Sequence, residues 1–220
     1  MPEYPAASHS TIKRMPQRAS YDAETIHAIL DEGLICHVAF EADGQPFVIP
    51  CLYGRDGDRL LLHGAKASRM LKFIRDGGQV SVAVTLIDGL VLARSVFHHS
   101  VNYRSVVLFG RGEIIEGEDE KNRALEIITN HILPGRWQEA RTPTQKELNA
   151  TSVVAVHIES ASAKLRAGGP GDDEEDYDLP IWAGVLPLEL QAAEPIHDPL
   201  RKADYPLPPS VTGYRRGKRA

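Results

Sequence analysis

Apolar and polar positions alternate with a period of two through much of the chain, the signature of strands with one buried face. In "LICHVAFEADGQPFVIPCLY" two such runs flank Asp43-Gly44, a dipeptide suited to a two-residue hairpin turn. Pairing positions about that turn sets Leu34, Cys36, Val38 and Phe40 opposite Tyr53, Cys51, Ile49 and Phe47, one wholly apolar face. Pro46 and Pro50 then oppose Glu41 and His37, in non-hydrogen-bonded pairs where a missing N–H costs little. Further strands are predicted for "LLLH" after the turn "RDGDR", for "QVSVAVTLI", for "LVLARSVF" after an Asp88-Gly89 turn, for "YRSVVLFGRGEII", and for a closing "SVVAVHIES".

Helical spacing is confined to shorter pieces. Ile26, Ile29 and Leu30 predict a helix that Ser20 would cap and Gly33 would stop. Ser68 to Arg75 forms a short helix with Met70, Leu71, Phe73 and Ile74 inward, and Asp119 to Ile132 a longer one. "TPTQKELNA" starts another, with Pro143 as first residue and Thr144 with Glu147 as a capping box. Six or seven strands joined by tight turns, with few crossovers, predict a mainly β fold, an antiparallel barrel decorated by helices. Residues 1–19 read as a flexible arm, 20–190 as the domain, and 191–220 as a Pro-rich, basic-ended tail, extended on a surface or disordered. The acidic "GGPGDDEEDYD" precedes that tail as a solvated loop.

At 220 residues and 42% hydrophobic, the chain supports one sizeable core. A net charge of -5 gives no basic footprint for nucleic acid, so a small molecule is the expected partner. No run approaches the ~20 apolar residues of a spanning helix, and the N-terminus lacks a signal peptide's apolar centre, so no membrane partner and a cytoplasmic location are expected. Cys36 and Cys51 have no metal-type spacing; as cross-strand neighbours they form a conceivable redox pair, but they read first as small buried hydrophobes, a directly opposed hydrogen-bonded pair being a poor geometry for a bridge. Adjacent His98 and His99 point to opposite sides of an extended chain, and with no HxH or HExxH elsewhere no metal centre is expected. There is no GxSxG, and Gly110 and Gly112 lie within a strand, which excludes a dinucleotide fingerprint.

Two stretches carry candidate chemistry. "HGAKASRML" runs from a strand end at His63 into a helix start with Lys66, Ser68 as cap and Arg69, a set that suits a phosphate monoester. Standing alone, it reads as a solvated basic helix start, and His63 as a hydrogen-bonded structural histidine or as a cofactor contact and proton donor. "RSVFHHSVNYRSVV" concentrates polar and aromatic groups between apolar strands, as a ligand-lined strand end or a subunit interface would.

In order and wording, these segments resemble the pyridoxamine-phosphate-oxidase-like FMN-binding split-barrel superfamily, in the branch of flavin-nucleotide-binding proteins related to the Nim 5-nitroimidazole resistance proteins. The matching pieces are "LICHVAFEADGQPFVIPCLYGRDGDRLLLHGAKASRML", "IDGLVLARSVFHHSVNYRSVVLFGRGEII" and "PGRWQEARTPTQKELNATSVVAVHIESASAKLRAGGPGDDEEDYDLPIWAGVLPL", covering roughly residues 20–190. The resemblance implies a homodimeric antiparallel split barrel with FMN sites at the interface, built from both chains. It implies phosphate contacts from Lys66, Ser68 and Arg69, and backbone contacts to the isoalloxazine from Ile49, Pro50, Cys51 and Leu52. It implies further ring contacts near Tyr103 and Ser105, a catalytic role for His63, and closure of the pocket by Trp182 with Lys164 or Arg166. The arginine-rich phosphate motif and C-terminal Arg-His signature of true vitamin-B6 oxidases are missing, so pyridoxamine phosphate oxidation is not expected. The expected function is an FMN-dependent oxidoreductase reducing a small electron-poor acceptor such as a nitro compound. The alternatives are a non-catalytic flavin-, haem- or deazaflavin-binding or sensing protein on the same barrel, and an interaction module with a degenerate site.

Overall fold

The hairpin sets the frame. In the computed structural model, which describes residues 3–5 and 7–215, Asp43 and Gly44 both take positive φ (54° and 73°), the two-residue turn that follows strand twist. β2 (Ile35–Ala42) and β3 (Gln45–Leu52) pair as expected, Cys36 with Cys51, Val38 with Ile49 and Phe40 with Phe47, while Pro46 and Pro50 oppose Glu41 and His37. The short β1 (Ala19–Ser20) precedes them, and α1 (Ala23–Glu32) packs Ile26, Ile29 and Leu30 into the core. Its cap is Asp22, not Ser20: the Asp22 carboxylate accepts from the Thr25 N–H at 2.8 Å, and Ser20 is taken up by β1, paired with Ala163.

β4 (Gly54–Asp56) and β5 (Arg59–Ala65) form a second hairpin, followed by α2 (Arg69–Arg75) and the long strands β6 (Gln79–Leu92) and β7 (Ser100–Ile114). α3 (Glu118–Ile132), α4 (Arg136–Glu139) and α5 (Gln145–Ala150), with its Thr144/Glu147 capping box, lead to β8 (Thr151–His157) and β9 (Ser160–Arg166). β10 (Gly184–Pro187) and α6 (Pro209–Thr212) complete the described chain.

The ten strands form one antiparallel sheet, ordered β3-β2-β6-β7-β8-β5-β4, with β9 also on β7, β1 on β9 and β10 on β6. Asp88-Gly89 is not a turn: β6 runs through it with a register shift, so two predicted strands are one, and "RSVF" leaves the sheet for a 3-10 turn at Val96–His98. Nor does "SVVAVHIES" close the series. β9, with its small and polar "SASAKLR", lacks the apolar alternation that would announce it, and β10 is too short to do so.

The barrel interior gathers Val38, Phe40, Leu60, Leu62, Val82, Val106, Leu108 and Val156 in one cluster. A smaller cluster lies under α3, where Leu61, Val153 and Ala155 meet Ala124 and Ile128. β5 and β8 are therefore covered on both faces, which is why they read as unbroken apolar runs.

Candidate functional site

The stretch His63–Arg69 folds as a strand-to-helix connection. Ser68 caps α2, its hydroxyl accepting from the Leu71 N–H at 3.4 Å, while its own N–H donates to the Ala65 carbonyl. Lys66 and Arg69 are exposed, and among the described residues neither forms an ion pair. The Arg69 guanidinium lies 4.6 Å from the centroid of the Phe47 ring, which ties this turn to β3. Two uncommitted cations beside a hydroxyl have the donor chemistry for a phosphate.

β3 is the end strand of the sheet. Ile49 and Cys51 share the barrel face with Phe47, while Pro50 and Leu52 point outward and are exposed. His63 is paired with Val153 on the face of β5 that carries Leu61, and its ring is exposed at the rim. Among the described residues that ring makes no hydrogen bond, and its surroundings hold its pKa below the ordinary histidine value by desolvation.

A second cluster lies on β7 and β9. Tyr103 is registered with Arg166, and Ser105 with Lys164, the Ser105 hydroxyl donating to the Lys164 carbonyl at 3.3 Å. Arg166 donates to the Asn102 side chain, and the Lys164 ammonium to the Arg14 carbonyl of the N-terminal arm at 3.0 Å. Val106 and Leu108 point into the barrel, so Tyr103 and Ser105 point out. From β3 to β7 there are three strand steps, about 14 Å at ordinary spacing. One chain therefore holds the phosphate-type turn at the mouth by β3 and the Tyr103/Ser105/Lys164/Arg166 group on the outer sheet face, apart from each other. Trp182 joins neither; it is 68% exposed just ahead of β10, which pairs with Gly89–Leu92.

The chain matches the family model described as pyridoxamine 5'-phosphate oxidase over residues 22–165. It belongs to that family. The flavocytochrome Anf3 from Azotobacter vinelandii is 41% identical, with 98% of this chain and 100% of that one covered at a TM-score of 0.89. The FAD and heme binding protein from Mycobacterium smegmatis is also 41% identical, covering 89% and 96% at a TM-score of 0.84. A protein from Bacteroides thetaiotaomicron named for 5-nitroimidazole antibiotic resistance is 25% identical over 66% of this chain and 85% of its own, at a TM-score of 0.55. No curated protein sequence matches the chain.

Beyond the family's barrel, the fold holds features that the sequence did not announce. Arg104 is clamped by Glu32 on α1 (2.5 and 2.8 Å) and Asp88 on β6 (2.7 Å). This triad floors a groove of about 910 Å3 whose other wall is the tail, including Leu188, Leu207, Val211 and Tyr214. The tail is held there by the Leu188 N–H on the Asp88 carbonyl and by Ser210 on Glu139. Of the basic tail end, residues 216–220 lie outside the described residues. Alternation cannot reveal such a wall, because an irregular segment has no period. No helix among the described residues is long and apolar enough to cross a membrane.

Proposed function

We propose that the protein is a flavin-binding oxidoreductase whose flavin phosphate is held by Lys66, Ser68 and Arg69. The observation that carries this is the pair of exposed cations without carboxylate partners at the turn where the family resemblance places that phosphate. FMN and FAD share the phosphate proximal to the ring. FAD is the form proposed, because the Mycobacterium smegmatis relative named for it aligns over 89% of this chain, well past the end of the family model at residue 165. A bound flavin supplies hydride and electron chemistry. The chain's own part is to hold the phosphate, line the ring with β3 backbone at Ile49–Leu52, and offer the His63 ring, whose pKa desolvation lowers, as a proton-handling group toward an electron-poor acceptor.

The separation of the two clusters supports a second copy of the chain, whose Tyr103/Ser105/Lys164 face completes the site that Lys66 and Arg69 begin. Haem is the second reading, favoured by the two 41% identical relatives, whose names are flavocytochrome and FAD and heme binding protein. The chain has rings that fit an iron. His99 has Nδ1 donating to the Ser95 carbonyl at 3.0 Å, which leaves its Nε2 side free to face a ligand, and among the described residues His63 has neither nitrogen hydrogen-bonded.

The test is a visible spectrum of the purified protein, with extraction and chromatography of whatever it holds. Released FAD and bleaching by a reduced nicotinamide or dithionite are the expected results; released FMN corrects the nucleotide, and a Soret band adds the haem. Lys66→Ala with Arg69→Ala should weaken flavin binding by about 1.5–3 kcal/mol per lost charge-assisted contact. A colourless protein that takes up no added flavin overturns the proposal, and unchanged affinity in the double variant moves the phosphate elsewhere.

A further inference from the structure

The β2–β3 hairpin joins two thiols whose sulfurs have no part in the proposed flavin chemistry, which uses only the backbone at Cys51. Cys36 and Cys51 are directly registered across the strands, with Sγ atoms 3.6 Å apart and both thiols free. From sequence their hydrogen-bonded register argues against a bridge, yet the Cα separation of such a pair, about 5.5 Å, lies inside the window of roughly 4.4–6.8 Å that a disulfide spans, and the 3.6 Å between the sulfurs shows the side chains turned toward each other. Closing the bond asks the sulfurs to approach by roughly 1.5 Å. Their exposures differ: Cys36 is fully buried in the barrel core, and Cys51 is partly open on the end strand.

We infer that Cys36 and Cys51 form a thiol–disulfide exchange site for small disulfides of the glutathione type, with Cys51 as the attacking sulfur and Cys36 as the resolving one. The asymmetry of access sets the roles, since only Cys51 can meet a reagent from solution. Hydrogen bonding agrees with them. The contact between the two sulfurs, in which either thiol can donate, holds the Cys51 pKa below the ordinary thiol value, while the same contact, together with burial, pushes Cys36 up. A metal is not the reason for the pair: among the described residues no third ligand joins it.

The exchange balances in two steps. The Cys51 thiolate attacks one sulfur of the disulfide, forming a mixed disulfide and releasing one small thiolate. Cys36 then gives up its proton and attacks the Cys51 Sγ, closing the Cys36–Cys51 bond and expelling the second thiolate. Two protein thiols are oxidised and one small disulfide is reduced to two thiols, so no further oxidant is needed.

The experiment uses the full chain as purified, fully reduced and then incubated with glutathione disulfide. Denatured mass spectrometry should show the loss of two hydrogens with both thiols blocked to alkylation, reversed by dithiothreitol. Cys36→Ser should stop at one glutathione on Cys51, and Cys51→Ser should leave Cys36 unmodified. Should either variant fail to fold, limited alkylation of the native wild type decides the roles: Cys51 should react about tenfold or more faster than Cys36. Two thiols that persist at every ratio of oxidised to reduced glutathione overturn the site, and equal alkylation rates overturn the assigned roles.

Discussion

Close backbone approaches put the strictest demands on single positions. At Gly110 on β7, a Cβ would come 1.7 Å from the His157 carbonyl oxygen, backbone that cannot swing aside as a side chain can. Gly110→Ala should therefore cost at least about 3 kcal/mol, read as a lower denaturation midpoint or as loss of soluble protein. A substitution tolerated within 1 kcal/mol or so would mean that β7 and β8 can part without loss of the barrel. The same residue shows why Gly110 and Gly112 suggested nothing useful from sequence alone. Their role is to let strands cross closely, and spacing in the chain carries no record of a neighbour more than forty residues away.

Among the elements, α1 makes the clearest case, because it plugs the barrel end with Ile26, Ile29 and Leu30 while its last residue, Glu32, reaches Arg104. Its start depends on Asp22, whose carboxylate takes both the N–H and the hydroxyl of Thr25 and is held below the ordinary aspartate pKa chiefly by that N–H bond. A depressed carboxylate pKa stabilises the fold fully above the unfolded value of about 3.9 and is lost as pH falls through the folded value. Asp22→Ala should thus lower Tm at neutral pH, with the gap from wild type closing as the pH drops below that range. A gap that stays constant down to acid unfolding would show that the cap does not depend on the charge. The sequence placed the helix but put its cap two residues early. Ser20 and Asp22 are both good caps, and only the pairing of Ser20 with Ala163 on β9 removes the first from contention.

For the whole molecule, the outward face of the β3-β2-β6 part of the sheet carries several exposed large apolar side chains. Val48 is 62% exposed, Ile87 57%, Ile35 41% and Leu52 39%. An apolar patch of this kind suits a second copy of the chain, in line with the site shared between two copies proposed above. Sedimentation should give a mass near twice the 24.2 kDa of one chain, and Ile87→Asp should shift the population toward monomer and weaken flavin binding with it. A wild-type monomer that still binds flavin tightly would show that one chain carries a complete site.

Where the physics is local and no distant segment competes, the sequence by itself determined the outcome. The Asp43-Gly44 hairpin and its register, the Thr144/Glu147 box and the Ser68 cap each rest on groups a few residues apart, whose backbone angles and periodicity are written into the chain. The barrel class was legible as a sum of such local patterns, and the family through the resemblance of whole segments. Only the tertiary structure decided which separate segments meet: β9 closing onto β7, the tail walling a groove over Arg104, Arg69 stacking on Phe47, and Tyr103 and Ser105 facing away from Lys66. Those arrangements are set by long-range burial and charge pairing, where the partner of a residue is chosen by the closed sheet and not by its neighbours in sequence.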